Sequence, residues 1–347
     1  MKRNEHVNIR KVAKLAGVST ATVSRTINQP QMVSPETRAS VIDAIHKTGY
    51  VAKRTLQNKK SQSSLLLFIF DEADYRFYES MFYGFEALLN DQYGAVLYCP
   101  ISPIDKRATS QLYSLLNNNI AGIIFALRDF HDDFVSQCRK HHIPIVFARK
   151  YSYSESAYPR CYTDFEVGSY RMTKYLLALN HRKINLMVEK ASLQFVESFC
   201  AGWRRAYFEN GTDFSDDWII HTINDMEGGY HRALEIFRAD EKPDAFFCAS
   251  NEMAFGILRA ARHSGIAVPE DLSIAGFTDS PIAKLAEPPL TTLEQPIQQL
   301  GAVLIRTLLD LIHSKSYAQF PHQEIVLQPH LCIRGSSGEH KESNERI

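Results

Sequence analysis

No two cysteines of this 347-residue chain stand at C-x-x-C or any other metal-ligand spacing; Cys99, Cys138, Cys161, Cys200, Cys248 and Cys332 are scattered. They read as reduced thiols of a cytoplasmic protein, mostly buried in strands or helices. No uncharged apolar run approaches the roughly 18 residues of a membrane span, so no membrane partner is expected. The opening MKRNEHVNIR has no apolar core, so no secretory leader is expected either. The phosphate-cradling G-x-G-x-x-G and G-x-x-x-x-G-K-[ST] patterns and the nucleophile pattern G-x-S-x-G are all missing. His141-His142, His181, His221 and His231 lack metal-ligand spacing, and surface or capping roles are expected for them. Neither an enzyme nor a cofactor or metal site is implied.

The charge is zero only in sum. Residues 1–60 hold twelve Lys or Arg against three Asp or Glu, which leaves 27 of the 39 bases and 36 of the 39 acids to the remainder. Such asymmetry implies a small polyanion-binding module attached to an acidic body.

The basic module carries a compact helical pattern. Ile9, Val12, Ala13 and Ala16 share one helical face, and Gly17 supplies a left-handed residue that ends the helix. Ser19 is placed to cap a second helix whose Val23 and Ile27 face inward beside Val18. Ser34-Pro35-Glu36 reads as the cap, first-turn proline and first-turn acid of a third, expected to bury Val41, Ile42 and Ile45. Three short helices with a tight turn after the first make a helix-turn-helix. The second helix presents Thr20, Ala21, Ser24 and Arg25 outward. Small residues admit close approach to base edges, and arginine can bond guanine O6 and N7 together. Ser19, Thr22 and Asn28 are candidate phosphate contacts.

After residue 64 the pattern alternates between strand and helix. SLLLFIF, AVLYCP, AGIIFA and IPIVFA form one strand series, and KINLMVE, DWIIHT, DAFFCAS and LSIAGF another. The expected body is α/β with two parallel-sheet subdomains, which places a ligand crevice at the carboxyl ends of the strands.

VAKLAGVSTATVSRTIN followed by VSPETR resembles the DNA-binding headpiece of the LacI/GalR family of bacterial transcriptional regulators. CASNEMAFGILRAARHSGIAVPEDLSIAGFTDSPIAKLAEPPLTTLEQP is similar to the most recognisable body segment of that family, so the likeness spans nearly the whole chain. It implies an all-α helix-turn-helix headpiece (1–50), a hinge or linker (51–64) and a periplasmic-binding-protein-like body (65–335). Within the body, residues 65–160 and 291–322 are expected in the first subdomain, and 161–290 and 323–335 in the second. Residues 336–347 read as a polar tail without apolar heptads. The resemblance assigns base contacts to Thr20, Ala21 and Arg25, and a minor-groove wedge to Leu56. The segment around Leu56 is about two residues short, with Ala52 where the family has proline. In YLLALNHRKI, Asn180 replaces a family glycine at a left-handed cap.

By the same resemblance Asp71, Phe77, Tyr78, Arg149, Phe199, Asn224, Asn251, Thr278 and Gln295 line an effector crevice. Three depart from the family pattern. Arg149 stands in place of an aspartate, Phe199 of an arginine and Thr278 of a second aspartate, although Asp279 remains. The three positions sum to +1 where the family pattern sums to −1, and a guanidinium offers a donor fork to carboxylate or phosphate. The expected effector is therefore an acidic ligand such as a sugar phosphate or sugar acid in place of a neutral sugar bound in the usual way, with Arg76 as a further candidate. Another uncharged ligand and loss of small-molecule control are the alternatives. The expected protein is a cytoplasmic, nucleoid-associated repressor. Its partners are a double-stranded DNA operator, a small-molecule effector and a second copy in a homodimer. The alternative is a cytoplasmic ligand-binding or interaction protein with a vestigial headpiece.

Overall fold

The computed structural model describes residues 9–28, 33–48, 65–86, 88–89, 95–101, 112–116, 120–127, 132–150, 158–190, 193–314 and 323–340. Leu56 and the rest of the expected hinge lie outside these residues, as does Ala52. The chain divides into two units, Met1–Ser61 and Gln62–Ile347.

In the first unit, α1 (Ile9–Ala16), α2 (Thr20–Asn28) and α3 (Pro35–Thr48) enclose Val12, Ala13, Val23, Val41 and Ala44. Gly17 adopts φ +66, as the turn requires. The Thr22 amide donates to Ser19 Oγ at 3.0 Å and the Thr37 amide to Ser34 Oγ at 3.3 Å, so both serines cap the helices that follow them. One inward assignment fails: Ile42 is 45% exposed, and Ala44 takes its place in the core. On a helix, 41, 44 and 45 share a face that 42 leaves by about 100°.

The second unit holds two parallel sheets. The first runs in the order β11-β5-β4-β3-β1-β2, with β1 (Leu65–Asp71), β2 (Ala95–Ile101), β3 (Ile120–Ala126), β4 (Ile145–Phe147), β5 (Arg160–Thr163) and β11 (Glu324–Leu327). The second runs β7-β6-β8-β9, with β6 (Ile184–Glu189), β7 (Ile219–Thr222), β8 (Ala245–Cys248) and β9 (Ser273–Ala275). A small antiparallel ribbon joins β10 (Thr292–Glu294) to β12 (His330–Cys332). Central strands such as LLLFIF are buried on both faces, which is why they read as continuous apolar runs.

Against one face of the first sheet lie α4 (Tyr75–Glu86) and α11 (Ile297–His313), whose Leu300, Leu304, Ile305 and Leu308 enter the core. These two helices approach closely through glycines. A Cβ at Gly84 would lie 2.2 Å from the Gln298 carbonyl oxygen, and one at Gly301 2.5 Å from that of Met81. α5 (Asp132–Lys140) covers the other face through Phe134, Val135 and Cys138. Around the second sheet pack α6 (Phe165–Ala178), α7 (Leu193–Asn210), α8 (Met226–Phe237), α9 (Asn251–His263) and α10 (Pro281–Leu285). The expected cap at Asn180 has φ +66.

Two subdomain boundaries differ from the sequence reading. Residues 324–327 pair in parallel with β5 and so extend the first sheet, not the second. Residues 336–340 are no free tail. Ser336 is fully buried, its Oγ donates to the Ile274 carbonyl and accepts from the Thr291 amide, and the Ile274 amide donates to its carbonyl. Farther on, the Gly338 carbonyl meets His181 Nε2 at 3.0 Å and the His340 amide donates to the Leu179 carbonyl. Hydropathy misplaces this strap because its serines are buried for their hydrogen bonds, not for their apolar surface. Among the described residues no helix is long and apolar enough to cross a membrane.

Candidate functional site

The outward face of α2 is built by its neighbours. Val23 is buried, and Thr26 turns inward to donate to the Thr22 carbonyl at 2.9 Å. That rotation leaves Thr20, Ala21 and Arg25 exposed together, with Ser19 and half-buried Thr22 at the amino-terminal end of the helix. The Ser19 and Thr22 hydroxyls lie 2.9 Å apart. Asn28 ends the helix, and its side chain is outside those described.

The residues expected in the crevice fall into two groups, one at the carboxyl edge of each sheet. At the first edge, Asp71 ends β1, Tyr78 lies in the second turn of α4, and Arg149 follows β4. Tyr78 is buried between Phe68 and Phe70, with ring centroids at 5.2 and 5.6 Å, so its ring is core. Burial pushes its hydroxyl up to about 12, against the lowering effect of Arg149. Phe77 is on the same helix, and its side chain, like that of Arg76, is outside those described.

Arg149 is not an open donor fork. Its Nε donates to the Ala126 carbonyl at 2.8 Å, its Nη2 pairs with Asp74 Oδ2, and the Tyr78 hydroxyl hydrogen-bonds to it. Asp74 is the residue that the sequence reading missed. It lies in the 3₁₀ turn Glu72–Asp74, and its side chain is 11% exposed against 18% for Arg149. The excess of positive charge inferred from Arg149, Phe199 and Thr278 is therefore cancelled locally. The acid-rich DEAD immediately after a strand was the available signal; its pairing with a residue 75 positions away left no trace in spacing.

At the second edge, Asn251 and Gln295 converge on Thr278. Asn251 Nδ2 donates to the Thr278 carbonyl and to Ser280 Oγ, and Gln295 Nε2 donates to Thr278 Oγ1 at 3.0 Å. Thr278 is thereby held at φ +94, a conformation that non-glycine residues rarely adopt. Asn251 Oδ1 and Gln295 Oε1 are buried with no protein partner among the described residues. Asp279 is committed elsewhere, to Arg334, Lys284 and Thr292. Burial raises its carboxyl, but these bonds outweigh burial and hold it below the usual range.

Two residues stand apart from both groups. Phe199 has no exposed surface and sits among Phe165, Phe195, Phe247 and Phe277 at 4.7 to 5.9 Å, so it is core and not crevice lining. Asn224 is exposed just before Asp225, the cap of α8. The two edges are joined where Asp164, following β5, caps α6 and Phe165 packs on Phe277 at 5.4 Å.

Comparison with known proteins agrees with this architecture. Residues 8–53 match bacterial regulatory proteins of the lacI family, and residues 173–337 match a periplasmic binding protein-like domain. The HTH-type transcriptional regulator DegA of Bacillus subtilis is 31% identical over 334 residues, which cover 94% of this chain and 96% of that protein. Catabolite control protein A of Priestia megaterium is 29% identical, covering 92% and 97%. The solved complex of the transcriptional regulator CelR with cellobiose is 26% identical with a TM-score of 0.70, covering 96% of this chain and 100% of that one. The lac repressor dimer bound to operator and an anti-inducer, at 23% identity and a TM-score of 0.72, shares the fold. The chain belongs to the lacI family of bacterial regulatory proteins, and its helix-turn-helix makes it a DNA-binding transcriptional regulator.

Proposed function

We propose that this regulator is a repressor that binds a palindromic operator as a homodimer and is controlled by a small, sugar-like molecule seated between the carboxyl edges of its two sheets. The exposed set Thr20, Ala21 and Arg25 on a capped helix of a basic module carries the reading. One short helix reads too few base pairs to select a genomic site, and two copies reading half-sites about one helical turn or more apart do. Ile282 and Leu285, 60% and 80% exposed on the five-residue α10, offer apolar surface to a second copy. The buried acceptors Asn251 Oδ1 and Gln295 Oε1 suit a ligand that supplies hydroxyl donors. Action on DNA supports a cytoplasmic, nucleoid-associated location, and no catalytic step is assigned to the protein.

Selection of DNA fragments on the full-length protein, followed by gel shifts across a salt series, tests the reading. A palindromic site is expected to emerge, with affinity falling steeply as salt rises. Equal affinity for selected and random duplex, with and without candidate sugars, would overturn it.

A further inference from the structure

The Arg149 and Asp74 pair bears on which ligands the crevice accepts. An arginine buried at the carboxyl edge of a sheet would ordinarily attract carboxylates and phosphates. Here Asp74 already supplies that oxyanion, and the Ala126 carbonyl and Tyr78 hydroxyl occupy further sides of the guanidinium. An incoming anion would have to displace Asp74 or lie beside its charge, where low dielectric magnifies repulsion. Selectivity of this kind comes from an element that repels the wrong ligand as well as from contacts to the right one.

We propose that Asp74 is a specificity-determining residue that closes Arg149 to anionic ligands and restricts the crevice to uncharged effectors. This rests on the reading of the crevice as the effector site. The charge at 149 is neutralised by the carboxylate at 74. Arg149 is then a clasp that holds the 3₁₀ turn to β3 and α4, and its cationic character is not offered to the ligand.

The test uses inorganic phosphate as the probe, so no effector need be known. Full-length wild type, Asp74→Asn, Arg149→Met and the double variant are melted in phosphate and in chloride at matched ionic strength and pH. Only the part of the phosphate effect that depends on Arg149 is read, since binding to the basic headpiece survives Arg149→Met and cancels. Wild type is expected to show no such part. Asp74→Asn is expected to gain a phosphate-dependent rise on the order of 3 °C or more in Tm, absent from the double variant. Arg149-dependent stabilisation of wild type by phosphate would overturn the proposal, as would a folded Asp74→Asn protein whose phosphate response equals that of the double variant. If Asp74→Asn unfolds in chloride, phosphate must restore it; failure to do so would count equally against the assignment. Operator gel shifts with neutral sugars test the crevice reading separately. An operator affinity indifferent to every sugar would sink that reading without altering the phosphate result.

Discussion

Arg25, exposed on α2 with Thr20 and Ala21, is the side chain with the reach and donor geometry to read a guanine edge. Arg25→Ala should lose about 1–3 kcal/mol of preference at one base pair while leaving nonspecific binding largely intact. Competition between operator variants measures this, and an unchanged base preference would remove Arg25 from the reading face. His181 makes a different prediction, about pH. Burial pulls its imidazolium below the ordinary 6.5, against the raising effect of the Gly338 carbonyl. The unfolded chain then takes up more protons than the folded one below pH 6.5. The stability that His181 contributes is complete above that pH and is lost as pH falls toward the lower folded value. Thermal melts from pH 7.5 to 5 should show this decline, and His181→Asn should flatten it. Arg25 was identifiable from sequence by helical spacing. His181 was expected at the surface or in a capping role, but it is buried and meets a carbonyl 157 residues away, which spacing could not signal.

Packing between α4 and α11 depends on two glycines with almost no space beside them. Gly84→Ala would drive a methyl group into the Gln298 carbonyl and should cost at least about 1–3 kcal/mol by overpacking. A lower urea midpoint with an unchanged denaturant slope is the expected signature. Ser336→Ala leaves the Ile274 carbonyl and the Thr291 amide each without a buried partner and should cost about 1–3 kcal/mol on the same assay. The eight strands that announced themselves were apolar runs, and they include the edge strands β2, β7 and β9 as well as the sheet centres. β5, with the sequence RCYT, and β11, with EIVL, lie toward one edge of the first sheet and carry charged or polar residues that break up the apolar run. Of the residues that the resemblance placed together, Asn251, Thr278 and Gln295 do gather at one place. Phe199 and the charge of Arg149 were misread because burial and a distant carboxylate are tertiary facts.

At the scale of the whole molecule, the proposed effector can change operator affinity only by binding one arrangement of the protein more tightly than another. The coupling is reciprocal, so operator DNA should shift effector affinity by the same factor, typically 5- to 150-fold. Titrating effector with and without operator tests this, and a one-sided effect would exclude the mechanism. Leu285→Asp places a charge on exposed α10 and should turn the proposed dimer into monomers with weakened operator binding, as read by sedimentation and gel shift. The strap carries a consequence for biosynthesis. The second sheet is finished by Ser336 to His340, residues that leave the ribosome only after every strand of both sheets has been made. The headpiece is complete within the first fifty residues and can fold long before then. A nascent chain thus carries a finished DNA reader well before it can close its second sheet.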